Sequence, residues 1–399
     1  MRTAGARAII APMNGVPTAA TRREPGGERL PRVSRLPHAM AAMYALAIAY
    51  ASLQPFGEWI APVPGTPFWT SAPWSFRATR FDIVANVLAY VPLGLFAALI
   101  PARAAPAFRA ALAMLCGIAL SSAMETGQWY LPARDANTTD LIANATGALV
   151  GGLAGALYAD SPLRGAMRRV RMRAALPGTT GDVGLALLAV WLVAQTNPAI
   201  APFALTFDPA PLPLTGVDPG ATDVAALLIE AAESAFQLVG VGLFAALLAR
   251  DRRYAGGAVL LTVGAALLIK GIAAFVLLKP AVFESWLSYG AVLGIAAGAL
   301  LLLPAILLPR PAQVTICAIA LLSSLLTPLF VPDVLRAAAP LTLFNWRYGH
   351  LLNFNGLTRS ILVAWPLVAA LWLFALAGQP GWGLAATGER SGAAGRDPL

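Results

Sequence analysis

Polar residues recur at helical spacing near the ends of three apolar stretches of the sequence. They are Asp82, Asn86 and Tyr90, then Glu125 and Gln128, and finally Asp140 and Asn144. Residues three or four positions apart share one face of a helix, so each stretch presents a polar edge. Burying a carboxylate among apolar groups is costly unless a partner or a cavity receives it. The spacing therefore predicts that these side chains meet in one polar site.

The segment between the second and third stretches supplies positive charge for such a site. It carries Arg134, followed by Asp135. A guanidinium can bind a carboxylate or a phosphate through two parallel hydrogen bonds. One interpretation is an anion-binding site in which Glu125 and Asp140 orient Arg134. The donors of further hydrogen bonds to the anion would be Asn86, Gln128 and Asn144. The alternative is that the same charged and amide groups only clasp the helices together.

The elements that carry these residues are predicted to be membrane helices. Of the 399 residues, 58% are hydrophobic and 12% are charged, whereas a soluble domain averages about 25% charged residues. The apolar residues fall in runs of roughly 20, the length that crosses a bilayer. We predict an all-α polytopic fold of about ten spans, at residues 39–60, 82–101, 107–129, 140–159, 182–201, 224–249, 256–279, 286–308, 312–331 and 359–378.

The distribution of lysine and arginine predicts the orientation of these spans, because cytoplasmic loops retain positive charge. With the N-terminus inside, and with basic residues at the ends of spans counted with the adjoining segments, the inside segments hold 20 of the 28 basic residues, the outside loops hold seven, and Lys270 lies within a span. Both termini are thus predicted to be cytoplasmic, in disordered tails at 1–38 and 379–399. The polar site would then lie at the outer face of a bacterial inner membrane. For Lys270, pairing with a carboxylate and extension toward the interface both stay open.

Several other classes of protein receive no support from the sequence. The net charge of +9 is spread over short segments rather than over one face, so we expect no nucleic-acid partner. Cys116 and Cys317 lie inside apolar runs, far from any metal-ligand spacing. No phosphate-binding loop, dinucleotide fingerprint or H-E-x2-H motif occurs. We therefore expect neither a cofactor nor a metal.

The sequence also indicates an internal repeat. Residues 90–99 read YVPLGLFAAL and residues 238–247 read LVGVGLFAAL, while glycines recur every four residues from Gly147 and again from Gly290. The polar motifs are missing from the second copy, which favours a function confined to the first. The predicted divisions are a four-helix unit at 39–160, a degenerate second unit at 182–308 and a terminal helix pair at 312–378.

The order of the polar motifs resembles that of the VanZ-like family. The matching residues are Asn86, Tyr90, Pro92 and Gly94 for N-x3-Y-x-P-x-G, Glu125 and Gln128 for E-x2-Q, Arg134 for the arginine of the next loop, and Asp140, Asn144 and Gly147 for D-x3-N-x2-G. With the preceding helix, the resemblance covers about 120 residues and the first four spans. It implies a four-helix membrane unit of a family named after a protein of glycopeptide resistance, specifically low-level resistance to teicoplanin. Related units also occur near envelope or exopolysaccharide genes.

Three functions are compatible with these residues. The preferred one is binding of an anionic or lipid-linked envelope component at the periplasmic face, with membrane lipid and a lipid-linked intermediate as partners. The second is an intramembrane enzyme in which Glu125 or Asp140 acts as an acid or base on a lipid-linked substrate. The third is a proton-coupled transporter in which Glu125 titrates. We expect binding rather than catalysis.

Overall fold

The apolar stretches of the sequence form α-helices in the computed structural model, because a helix satisfies its backbone hydrogen bonds internally where no water is available. The structure describes residues 35–54, 56–61, 80–101, 103–132, 134, 136–205, 224–330 and 348–379. Within these residues the helices are α1 (Leu36–Leu53), α2 (Arg80–Leu99), α3 (Pro106–Gln128), α4 (Thr138–Asp160), α5 (Pro162–Ala174), α6 (Gly178–Ala194), α7 (Val224–Leu247), α8 (Arg252–Leu277), α9 (Tyr289–Ala305), α10 (Arg310–Phe330) and α11 (Tyr348–Ala377). A short 3-10 helix, Pro280–Trp286, precedes α9.

The predicted all-α polytopic fold is confirmed. In the described part of the chain, eight helices are long and apolar enough to cross a membrane, and two shorter apolar helices are Gly178–Ala194 and Arg310–Leu325. Each of the ten predicted spans overlaps one of these ten helices. The described chain is therefore a multi-pass membrane protein. Its orientation and the type of membrane stay predictions.

Small residues bring α2 and α4 into direct backbone contact. A Cβ atom added at Gly147 would lie 2.1 Å from the carbonyl oxygen of Val87, and one added at Gly151 would lie 1.9 Å from that of Val91. Glycine at these positions allows the two helices to approach until dispersion contacts form along their backbones, the usual basis of helix association in lipid. This close pair carries Tyr90 and Asn144 toward each other.

A second glycine row packs in a similar way in the C-terminal half. Added Cβ atoms at Gly294 and Gly298 of α9 would lie 2.4 Å and 2.9 Å from the carbonyl oxygens of Ala231 and Ala235 of α7. The third member, Gly290, lies against Glu230, whose carboxylate accepts a hydrogen bond from the Ser288 hydroxyl. Helices α7 and α9 thus pair as α2 and α4 do, while the internal repeat itself stays a prediction.

Helices α6 to α11 share one apolar core. Phe244 of α7 contacts Trp365 and Trp372 of α11, with ring centroids 5.2 Å and 4.8 Å apart. The indole N–H of Trp365 donates to the Leu187 carbonyl of α6 at 2.7 Å. The terminal helices therefore pack directly on the helices before them, and the division at residue 312 stays a prediction.

Lys270 is fully buried and holds a non-helical segment that follows α6. Its Nζ donates to the carbonyl oxygens of Asn197 at 2.8 Å and Ile200 at 3.0 Å. Backbone that leaves the helical conformation at membrane depth needs such partners, because lipid offers none. The sequence left two roles open for Lys270, pairing with a carboxylate and extension toward the membrane interface. The structure shows neither of them: the Lys270 ammonium donates hydrogen bonds to backbone carbonyls.

Two features differ from the sequence-based expectation in extent. Helix α1 begins at Leu36, inside the predicted disordered tail, whereas residues 1–34 and 380–399 lie outside the described residues, as does Asp135. The basic segment after the fourth span, for which the sequence predicts no helix, forms helix α5. Leu163, Met167 and Val170 recur there at helical spacing, a signal that the segment's shortness and five arginines obscured.

Candidate ligand-binding site

Tyr90, Ser121 and Asn144 form an inner polar layer among α2, α3 and α4. All three residues are buried, and Asn144 Nδ2 donates to Ser121 Oγ at 2.9 Å. Asn144 Oδ1 and Tyr90 Oη are both buried, and neither meets a partner at hydrogen-bonding geometry among the described residues, although the Ser121 side chain lies near enough to interact with Tyr90 Oη. Buried polar atoms are nearly always paired, so two atoms without a well-formed hydrogen bond in one layer leave bonding capacity that a water molecule or a ligand can use.

Glu125, Arg134 and Asp140 form an outer polar layer about one helical turn nearer the membrane surface. Glu125 is buried, and its Oε2 accepts a hydrogen bond from the backbone N–H of Asn137 at 2.8 Å. The charges of Glu125, Arg134 and Asp140 act on one another, and both carboxylates act on Tyr90. The side chains of Tyr90, Glu125, Arg134 and Asp140 therefore lie within electrostatic range of one another.

Asn137 connects the outer layer to the start of α4. It occupies the N-cap position, and its side-chain oxygen accepts a hydrogen bond from the Thr139 N–H at 2.9 Å. An Asn at this position satisfies one of the backbone donors left open at a helix N-terminus. With its own N–H bonded to Glu125, Asn137 fixes the carboxylate of α3 relative to α4.

Arg134 and Gln128 bind the C-terminal end of α1. Arg134 Nε donates to the Ser52 carbonyl at 2.9 Å, and Nη2 donates to the Ala51 carbonyl at 3.1 Å. Gln128 Nε2 donates to the same Ser52 oxygen at 2.9 Å. The last carbonyls of a helix lack intrahelical partners and carry partial negative charge, so a guanidinium is well suited to this position. Both predicted ligand-binding residues thus have a structural partner within the protein.

Arg134 is partly buried, and its hydrogen bonds to described residues come from Nε and Nη2. Burial lowers the pKa of Arg134 from its ordinary value, while the nearby carboxylates of Glu125 and Asp140 oppose that shift. Arginine stays protonated across the physiological range even after such a shift. The outer layer therefore keeps a permanent positive charge beside two acidic groups.

Asp82 and Asn86 lie on α2 toward the same end and are partly exposed. With them, every predicted site residue in the described chain lies at one end of the first four helices. Ser121 was not among the predicted site residues, although its position four residues before Glu125 indicates the same helix face. The carbonyls of Ala51 and Ser52 could not have been found, because a backbone acceptor leaves no trace in residue type.

Replacing Arg134 with alanine is expected to lower the free energy of unfolding by about 2 kcal/mol, since hydrogen bonds from a charged donor to two helix-end carbonyls are lost. Alanine at Arg103, an exposed arginine between α2 and α3, should change the stability little. Detergent-titrated unfolding of the two variants measures the difference. Equal stability of both variants would contradict the capping role of Arg134.

The helices and their buried polar layers define a multi-pass α-helical membrane protein with a polar cluster at one end of its first four spans. Residues 33–158 match the VanZ/LLP1 family model. The resemblance inferred from the motifs is thereby confirmed over the first four spans. No curated protein and no solved structure matches the chain. Among the described residues, no three His, Cys, Asp or Glu side chains gather as metal ligands.

Proposed function

We propose that this protein binds the polar head of an anionic, lipid-linked component of the cell envelope at the end of α2, α3 and α4 that carries Tyr90, Asn144 and Arg134. The observation that carries the proposal is a pair of buried atoms that make no well-formed hydrogen bond in the described chain, Tyr90 Oη, which lies near the Ser121 side chain, and Asn144 Oδ1. Leaving such atoms unpaired costs about 1–3 kcal/mol each, so a molecule that bonds to both recovers that cost on binding.

The chemistry of these atoms favours a sugar phosphate. Tyr90 Oη can donate a hydrogen bond to a phosphate oxygen, whereas Asn144 Oδ1 can only accept one, for example from a sugar hydroxyl. The remaining N–H groups of Arg134 offer charge-assisted hydrogen bonds to the phosphate from the outer layer. The lipid tail of such a molecule would lie beside the helices, in the hydrocarbon region of the bilayer.

The family match supports an envelope role. Residues 33–158 resemble the VanZ/LLP1 family, which is named after a protein of glycopeptide resistance. We propose a function of the site in envelope biogenesis or in glycopeptide resistance, at the periplasmic face that the distribution of basic residues predicts.

Replacing Tyr90 with phenylalanine tests the proposal without removing a bond on which the fold depends. The dissociation constant for polyprenyl phosphate, measured on the full chain in nanodiscs, is expected to rise about tenfold, corresponding to the loss of one hydrogen bond to a charged group. The stability of the protein should change little, because the deleted hydroxyl lies near the Ser121 side chain but makes no well-formed hydrogen bond in the described structure.

The matched control is phenylalanine at Tyr44, which packs in the same apolar cluster as Tyr90. Tyr44→Phe should leave the affinity for polyprenyl phosphate unchanged. The dephosphorylated polyprenol should bind the parent protein more weakly than the phosphate does. Equal affinity of the two lipids, or an unchanged affinity in Tyr90→Phe, would refute the proposal.

One observation favours a second candidate, an intramembrane enzyme. The two carboxylates Glu125 and Asp140 lie close enough to influence each other, and such pairs can divide acid and base roles. Glutamine at position 125 keeps an oxygen that accepts from the Asn137 N–H, so the local structure should persist. Under this alternative, Glu125→Gln abolishes turnover of a lipid-linked substrate while its binding is retained. Under the preferred proposal there is no turnover to lose.

A further inference from the structure

Helix α5 has the composition of a helix that lies in the plane of a membrane surface. It is 13 residues long and contains five arginines. At about 100° per residue, Leu163, Met167 and Val170 fall on one face. These three apolar residues are exposed, and no residue of α5 is buried in the protein. An apolar face flanked by arginine is typical of interfacial helices.

Two of the arginines fix the rotation of α5 relative to the rest of the protein. Arg164 Nη1 donates to the Ala159 carbonyl at 3.3 Å, and Arg171 donates to the Leu176 carbonyl at 2.7 Å and to Asp182 at 2.9 Å. Both arginines lie about a quarter turn from the apolar face. The contacts with the protein therefore leave the apolar face uncovered.

The other three arginines carry charge that the protein does not use. Arg168, Arg169 and Arg173 are exposed, and within the described residues they form no hydrogen bond or ion pair. Their positive charge has a natural complement in the phosphate groups of anionic phospholipids, which attract basic segments beside membrane helices.

The position of α5 places it at the membrane surface. It begins at Pro162, directly after α4 ends at Asp160. The chain turns at Ser161, whose backbone N–H and hydroxyl both donate to the Tyr158 carbonyl, at 3.1 Å and 2.7 Å. The turn redirects the chain where a membrane-spanning helix ends, which is the level of the lipid headgroups.

We propose that α5 is an in-plane membrane anchor, whose apolar face enters the adjoining leaflet and whose free arginines bind the headgroups of anionic phospholipids. The anchor holds the end of α4 at a fixed depth, because Arg164 and Arg171 join α5 to the ends of α4 and α6. This surface lies on the opposite side of the membrane from the polar layers and does not depend on the function proposed for them.

Spin labels at two methionines test the anchor in the full chain. A spin label on Met167→Cys marks the apolar face of α5. A label on Met172→Cys marks the opposite face, which is also exposed. The parent is a Cys116→Ser variant, since Cys317 is fully buried. In vesicles that contain phosphatidylglycerol, oxygen should reach the label at position 167, whereas a water-soluble nickel complex should reach only the label at position 172.

The role of charge is tested by replacing Arg168, Arg169 and Arg173 together with glutamine. In phosphatidylglycerol vesicles, the accessibility of the label at position 167 to the nickel complex should rise about fivefold for each arginine removed, because each arginine contributes to the attraction to the anionic surface. The matched control places lysine at all three positions, keeps the charge and should keep the label in the lipid. In vesicles of phosphatidylcholine alone, the glutamine and lysine variants should differ little.

Three results would overturn the proposal. The first is equal exposure of both labels to the nickel complex in phosphatidylglycerol vesicles. The second is identical behaviour of the glutamine and lysine variants there. The third is protection of position 167 in lipid-free detergent that increases with protein concentration, which would assign the apolar face to a second copy of the chain.

Discussion

Replacing Gly151 with alanine is expected to lower the free energy of unfolding by about 3 kcal/mol, near the upper end of the usual cost of overpacking. The added Cβ would lie 1.9 Å from the carbonyl oxygen of Val91 and 2.9 Å from the backbone nitrogen of Leu95. Neither atom is the end of a flexible side chain, so α2 and α4 must separate. Titration of the unfolding transition with a denaturing detergent measures the loss.

The matched control is alanine at Gly264 of α8, where an added Cβ meets no atom within 4 Å. Because alanine favours the helix over glycine by up to about 1 kcal/mol, Gly264→Ala should be neutral or stabilising. The two identical substitutions should therefore differ in the sign of their effect. A similar change in stability for both would show that α2 and α4 do not pack through Gly151.

Replacing Asp160 with asparagine is expected to destabilise the protein by about 3 kcal/mol, because a buried charge would lose its partner. The Arg109 side chain is 1% exposed and its Nη2 lies 2.5 Å from Asp160 Oδ2. The Asp160 side chain is 52% exposed, so water partly compensates and the loss falls at the lower end of the range for buried pairs. The same detergent titration measures the effect.

Arg109 is buried whereas Asp160 is half-exposed, and this difference allows a second prediction for the ion pair. Replacing Arg109 with methionine removes the buried charge itself and leaves only a half-exposed carboxylate, so Arg109→Met should cost less than Asp160→Asn. The control is Asp251→Asn. Asp251 Oδ2 lies 3.4 Å from Arg253 Nη2, and both side chains are exposed. Such a surface pair contributes about 0–1 kcal/mol. If Asp160→Asn proves no more costly than Asp251→Asn, the buried ion pair does not stabilise the helix ends.

The fold could be predicted largely from the sequence because lipid imposes a simple rule. Backbone groups in a bilayer must bond internally, so each apolar run of sufficient length becomes a helix. This rule of length and apolarity was sufficient to predict ten spans, and each of them overlaps an apolar helix. Helix α5 was missed because it does not cross the membrane, and its periodicity extends over only 13 residues. The short helix α6 and the buried segment after it show where the rule of length is weakest.

The polar site was partly predictable for a similar reason. Spacing of three or four residues places side chains on one face, which brought Tyr90, Glu125 and Asp140 into one prediction. The spacing could not identify the partner of each group. Arg134 was expected beside the carboxylates and does interact with them electrostatically, but its hydrogen bonds go to the carbonyls of α1.

The sequence by itself determined which segments cross the membrane, that the polar residues of α2, α3 and α4 share one end, and that the first four spans resemble the VanZ-like family. These properties depend on residue type and local spacing, which act within a single helix. Only the tertiary structure decided that Gly147 and Gly151 rest on the backbone of α2, that Gln128 and Arg134 cap α1, and that Tyr90 Oη and Asn144 Oδ1 make no well-formed hydrogen bond in the described chain. Each of these depends on the distance between atoms of different helices, and backbone acceptors are the same in every residue, so no pattern along the chain records them.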